Sequence, residues 1–196
     1  MVSISPRSNL DAVRRSLERE RRNLAFATAR ALTWTAQEAK AEVEQSMAQV
    51  FDRPTPFTQR GVRIRPATRD RQSSRVFLMP RQAEYLGIQE EGGTRTPSGR
   101  KLVVPAGARL NRYGNLPRGA IRRMLGRADT FSGRVRGVPG IWQRRRDGTV
   151  KLLVAYEAKA TYEPRFGFRD RVRGGALRVF AEKFERSFRQ AMETAR

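Results

Sequence analysis

Residues 7–53 contain neither proline nor glycine. Nothing else in the chain restricts its folding as much, because these are the two residues that most readily break a helix. Through that run small or apolar side chains recur at Leu10, Val13, Leu17, Leu24, Ala31, Thr35, Ala39, Val43, Met47 and Val50, close to the helical period. The spacing predicts helix over 8–51, opened by Ser8 as N-cap with Asp11 as its reciprocal partner. At about 1.5 Å per residue a single rod would approach 60 Å, more than a small domain needs. The charged stretch Glu18, Glu20, Arg21 and Arg22 leaves a second arrangement open, a helix pair meeting near Asn23.

Charge is the second constraint. The 196 residues carry 41 Lys and Arg against 19 Asp and Glu, a formal net charge of +22, and only five of the cations are lysines. Arginine's planar fork grips phosphate with two parallel hydrogen bonds, so a polyanion partner is the first expectation. Residues 1–52 hold eight basic and seven acidic groups, residues 53–146 twenty-two and five, and residues 147–196 eleven and seven. Nearly all of the excess lies in the middle.

The residues that are missing narrow the chemistry. Without cysteine there is no disulfide framework, thiol catalysis or cysteine-ligated zinc, and without histidine the usual general base and metal ligand are gone. No cofactor, no metal and no catalytic residue are expected. No uncharged run reaches the roughly 18 residues of a membrane span and the start has no signal-like apolar stretch, so no membrane partner and synthesis in the cytoplasm are expected. With 38% hydrophobic residues, the length fits a single domain over 1–196 with a small core.

After the helical region, 53–74 reads as an Arg-rich arm broken by Pro54, Pro56, Gly61 and Pro66, with Val62-Arg63-Ile64-Arg65 as a short edge strand. A sheet is expected over 75–163. Its parts are a strand at 75–79, a short helix at 82–89 presenting Tyr85 and Ile88 and ended by Gly92-Gly93, and a strand at 101–105. A long basic loop at 106–139 follows, with one helical turn at 121–125. A β-hairpin over 141–156 turns at Asp147-Gly148, whose residue types suit a type I′ turn. A closing amphipathic helix at 170–195 lines up Leu177, Phe180, Phe184, Phe188, Ala191 and Ala195 on one face, as core or subunit contact. The fold class is α+β, with a small, mainly antiparallel sheet.

Several constellations fail on geometry. Asp147 with Glu157-Ala158-Lys159 has the residue types of a metal-dependent nuclease, but the predicted hairpin sets the two carboxylates about 30 Å apart. Glu90 and Glu91 are adjacent and diverge, so they are no acid/base pair. The Gly-rich run 92–101 lacks the Gly-Lys-Ser/Thr ending of a phosphate loop and reads as a turn. What remains is the arginine set Arg118, Arg122, Arg123, Arg127, Arg134, Arg136, Arg144, Arg145 and Arg146, opposed within 118–147 by Asp129 and Asp147 alone. These arginines are expected to touch DNA phosphates without reading bases; a solvated surface, or acids on a neighbouring subunit, is the alternative. Trp34, Tyr85, Phe180, Phe184 and Phe188 are the expected subunit or partner contacts.

The Ala-rich helix Ala25-Phe26-Ala27-Thr28-Ala29-Arg30-Ala31-Leu32, the Arg-rich region after it, and Val138-Pro139-Gly140-Ile141 leading into the hairpin together resemble the minor tail protein Z family of tailed phages. The Asp147-Gly148 turn, the strand to Tyr156 and the closing helix extend that resemblance. The segment from Tyr85 through Glu90-Glu91-Gly92-Gly93 resembles the broader group of small head–tail joining proteins. The resemblance implies a structural virion protein at the head-proximal end of the tail, made in the host cytoplasm. It implies a homo-oligomeric ring around phage DNA, with the portal, adaptor, tail tube or terminator as neighbours and no catalytic residues. The rival reading is a free, non-sequence-specific nucleic-acid-binding protein of the packaging or nucleoid type.

Overall fold

The computed structural model describes residues 7–97 and 101–194, with Arg7 and Ser8 by their backbone alone. Ala195 of the predicted terminal face and residues 98–100 of the Gly-rich run lie outside the described residues. The first helix, α1, is continuous over Arg7–Val50. It is already formed at Arg7, so Ser8 lies inside it and is not its cap. The helix pair meeting near Asn23 does not occur either, because Glu and Arg favour helix and Arg14 Nε pairs with Glu18 Oε1 at 3.2 Å one turn on.

Two compact units are built from interleaved segments. One takes the described part of Met1–Ser46, Arg60–Pro80 and Gly167–Arg196, the other Met47–Gln59 and the described part of Arg81–Phe166.

In the first unit α1 packs against α5 (Phe168–Glu193) through small side chains, with Ala27, Ala31, Ala39 and Val43 fully buried. The helices run antiparallel: Gly175 lies beside Ala39 and Glu42, whereas Ser187 meets Ala27 and Arg30. A Cβ on Gly175 would lie 2.5 Å from Glu42 Oε2, so a larger residue there would displace the Glu42 carboxylate that pairs with Arg178. Ser187, fully buried, donates from Oγ to Ala27 O (2.8 Å) and accepts from Arg30 Nε (3.0 Å). Arg30 Nη2 also donates to Gln190 Oε1 (2.7 Å), and Arg178–Glu42 and Lys183–Glu38 ion pairs (2.9 and 3.2 Å) close the seam.

That packing corrects one half of the core-or-contact expectation for α5. Its buried residues are Gly175, Ser187 and Ala191, while Leu177, Phe180 and Phe188 are 73%, 37% and 40% exposed. A partner face of alanines seats small residues closely, so the narrow side of α5 turns inward and the phenylalanines stay outside. The antiparallel register also brings the end of α5 roughly level with residue 21 of α1. About a dozen earlier residues, ~18 Å of helix, extend past it and leave Leu10 and Leu17 65% and 61% exposed.

The expected arm at 53–74 is instead tied down. α2 (Pro56–Gln59) forms within it, and β1 (Val62–Arg65) pairs antiparallel with β2 (Arg75–Leu78). In the first unit the connection back to β2 is anchored on α1: Thr33 Oγ1 accepts from Ala67 N (3.1 Å), and Gln72 Nε2 donates to Ala25 O (2.9 Å).

In the second unit α3 (Pro80–Glu91) ends at Gly92, whose φ of 72° suits the predicted glycine stop. β3 (Gly93–Arg95) pairs with β8 (Ala160–Tyr162). The main sheet is antiparallel in the order β4-β7-β6-β5, from β4 (Leu102–Pro105), β5 (Thr130–Val135), β6 (Val138–Arg144) and β7 (Val150–Glu157). Ile141, Leu153 and Val154 form its core, covered by Ala108, Leu116, Ile121, Met124 and Tyr156. Two of these, Ile121 and Met124, come from the short helix α4 (Ala120–Leu125).

The 106–139 segment is therefore not one loop. Beyond α4 it supplies β5 and a second hairpin, whose two-residue turn is Arg136 (φ 47°) and Gly137 (φ 82°). Both central residues have positive φ, as the tight turn that matches strand twist requires. The 141–156 hairpin is present, but not with the expected type I′ turn. Gly148 (φ 80°) has positive φ and Asp147 does not. Arg145 O accepts from Gly148 N and Arg145 N donates to Thr149 O (2.8 Å), the pattern of a three-residue loop. Asp147 Oδ1 accepts from Thr149 N and Oγ1 (2.9 and 2.6 Å), which stabilises that wider turn and holds the Asp147 carboxyl below its ordinary pKa.

Candidate nucleic-acid interface

All nine predicted arginines belong to the second unit, and all are exposed. Arg118 precedes α4, Arg122 and Arg123 are on it, and Arg127 follows it; Arg144 ends β6, with Arg145 and Arg146 in the turn. Asp129 joins these two groups. Its carboxylate accepts two hydrogen bonds from Arg127 (2.9 and 2.7 Å) and one from Gln143 Nε2 (2.8 Å), and its backbone O accepts from Arg144 N (2.7 Å). The Arg127 bonds, then the Gln143 bond, lower the Asp129 pKa from 3.8 to about 2.

Arg134 and Arg136 are not part of this cluster. They lie at the far end of the β5–β6 hairpin, five residue pairs beyond Thr130↔Gln143, or about 17 Å along the strands. The predicted set thus separates into seven arginines around α4 and the β6–β7 turn, and two at the opposite hairpin tip.

Within the larger group, order differs from side chain to side chain. Arg127 is neutralised by Asp129, Arg123 Nη1 donates to Arg118 O (2.9 Å), and the Arg144 guanidinium lies 4.5 Å from the centre of the Phe131 ring. Among the described residues Arg118, Arg122 and Arg146 have no ion pair, and Arg145 has only its electrostatic attraction to Asp147 in the same turn. Asp147 sits in the turn before β7 and Glu157 closes that strand, so the nuclease-like pair is at opposite ends of one element.

Sequence reasoning missed three cations of this unit. Arg109, Arg112 and Lys151 join Arg123 and Arg127 around a cleft of about 1000 Å³ between the 107–112 segment, α4 and the sheet. Lys151 lies in a strand whose burial does not alternate, and Arg109 and Arg112 sit in irregular chain, so no periodicity reveals the placement of any of the three.

The predicted contact residues also divide. Trp34, half-buried, has the guanidinium carbons of Arg30 and Arg186 at 4.8 and 5.6 Å from its ring centre, so part of its surface is used inside its own unit. Tyr85 OH donates to Thr58 Oγ1 at 3.0 Å in the other unit. Phe180, Phe184 and Phe188 form an outward row with successive ring centres 5.9 and 6.3 Å apart. No protein-family model, curated protein or solved structure matches this chain.

Proposed function

We propose that the chain is a structural subunit of a phage neck or tail, assembling as a ring that contacts the DNA path and joins or completes the tail. The observation that carries this reading is the pair of uncovered apolar rows in the first unit. Leu10, Val13 and Leu17 line the free stretch of α1, and exposed Phe180, Phe188 and Met192, with half-buried Phe184 between the two rings, run along α5. Such rows mark contact surfaces. The two rows differ, so a row on one copy meeting the other row on the next makes a head-to-tail contact, the kind that closes into rings.

Unpaired arginines on the other unit fit the same reading, since repetition around an axis would turn one cluster into a positive collar that holds DNA without demanding a sequence. The resemblance to tail-completion and head–tail joining proteins supplies the setting, with the portal, adaptor, tail tube or terminator as neighbours.

The exposed arginines by themselves also favour the second reading, a free non-sequence-specific nucleic-acid-binding protein. Native mass spectrometry of the purified protein, alone and with a purified portal complex, separates the two. A closed oligomer, or a portal complex with several copies bound, is expected. A monomer that binds DNA tightly and never joins the portal would exclude the structural role.

A further inference from the structure

We infer that the cleft beside α4 is a binding site for single-stranded nucleic acid, with phosphates on its cationic rim and bases against its apolar floor. The inference rests on the DNA-contact reading and adds to it which form of nucleic acid this place takes. Arg109, Arg112, Arg123, Arg127 and Lys151 line the cleft, and no acidic side chain is among its lining residues. Arg127 is already paired with Asp129, and the other four cations facing one space repel each other unless an anion enters it.

The rim is built rather than incidental. Arg127 is locked by two hydrogen bonds to Asp129, which Gln143, itself a lining residue, holds from the other side. Arg123 is tethered to Arg118 O, and the Arg112 guanidinium lies 4.7 Å from the centre of the Tyr113 ring. Lys151 crosses the face of Gly107, where a Cβ would stand 2.7 Å from Lys151 Cε and 2.6 Å from Leu152 O. A side chain at 107 would clash with the Leu152 backbone as well as with Lys151.

The floor argues for bases. Ala108, Leu110, Pro117, Met124 and Leu153 supply apolar surface between the cations. A duplex offers a protein mainly phosphates and keeps its bases stacked inside, and its width, with a major groove alone of about 12 Å, suits an open face better than a cleft. A single strand turns its bases outward, and every base has an apolar face. The volume, about 1000 Å³, is at the top of the range for small-ligand pockets, enough for a short stretch of strand and too small for a duplex.

The test is fluorescence anisotropy at fixed salt with a labelled eight-nucleotide oligo-dT, a blunt duplex and a labelled deca-glutamate peptide. Arg109→Gln/Lys151→Gln should weaken oligo-dT binding about tenfold or more while changing duplex binding far less. Leu110→Ser leaves the charge unchanged and replaces a partly exposed side chain; it should weaken oligo-dT binding severalfold and leave the duplex and its salt dependence as they were. Oligo-dT affinity unchanged in either variant would overturn the inference, and so would deca-glutamate bound as tightly as oligo-dT, which would make the cleft an acidic-peptide site. If the duplex binds and only the cleft variants fail to respond, the DNA-contact reading survives without this site. If neither nucleic acid binds at physiological salt, both fall.

Discussion

The two units carry the same net charge and use it differently. The first has twenty-two basic and eleven acidic side chains, the second nineteen and eight, so each is +11. In the first, cations are drawn into the helix seam: Arg178 with Glu42, Lys183 with Glu38, and Arg30 with Ser187 and Gln190. In the second, Asp129 neutralises Arg127 and Asp147 attracts Arg145, but Arg118, Arg122 and Arg146 have no ion pair among the described residues. Net charge therefore does not locate a polyanion surface. Both units keep cations with no ion pair among the described residues, Arg63, Arg65 and Arg75 in the first among them, so the difference lies in the gathering of the second unit's around α4 and the β6–β7 turn. Apolar surface differs in arrangement, because most of the first unit's exposed side chains line up along α1 and α5, while those of the second, such as Phe57, Val103, Leu125 and Val150, sit on separate elements around a covered sheet core.

The largest expected effect contrasts two phenylalanines. Phe166, fully buried in the second unit with its ring 5.3 Å from Phe51, should cost about 3–5 kcal/mol on replacement by Ala. Phe188→Ala in the first unit should cost under about 1 kcal/mol in the isolated chain yet weaken self-association. Urea unfolding and sedimentation velocity measure the two quantities, and equal stability losses would erase the contrast.

Arg30→Ala comes next. It strips hydrogen bonds from buried Ser187 and from Gln190, at a cost of about 1–3 kcal/mol. Arg145→Ala should stay within about 0.5 kcal/mol, as exposed charges do. A costly Arg145 substitution would mean that the turn arginines are structural.

Replacing Arg144, Arg145 and Arg146 together with Ala should leave the circular dichroism spectrum unchanged. Duplex affinity should fall about tenfold, and the slope of log affinity against log salt by about two to three. An unaltered slope would remove the turn from the interface.

The smallest effect is a titration. Because the folded pKa of Asp129 is lowered to about 2 from 3.8, the Arg127–Asp129–Gln143 contact adds its full stability above the ordinary carboxylate range and loses it as pH falls through about 2. NMR of the Asp129 carboxyl carbon should show a midpoint near 2 that Arg127→Gln raises towards 3.8. A wild-type midpoint already at the ordinary value would sharpen the contrast between units, by leaving the second with no firmly held ion pair at this site.

Long periodic elements were legible from the residues. The helix from Arg7 and the terminal helix follow from a period of 3.6 carried over many residues, and the 141–156 hairpin from Asp147-Gly148 between β-branched and aromatic residues, although its turn type did not. β5 was not, because Gly133 interrupts its alternation and its turn uses Arg136-Gly137 where Asn-Gly or Asp-Gly is the usual signal. The arginines of the interface were visible as a group. Their separation into a cluster of seven and a distant pair was not, since it depends on which end of the β5–β6 hairpin each residue occupies.

By itself the sequence determined that this chain is strongly cationic, rich in helix, and without the cysteine and histidine that most metal and nucleophile chemistry uses. Those properties belong to single residues and their near neighbours. Only the tertiary structure decided that the phenylalanine row of α5 faces outward, because the alanine face of α1 admits glycine, serine and alanine more closely than aromatic rings. It also sent the six arginines of Arg60–Pro80 to the helical unit, dividing evenly a charge that along the chain looks like one central block. Such partition is set by contacts between residues far apart in sequence, which no local pattern encodes.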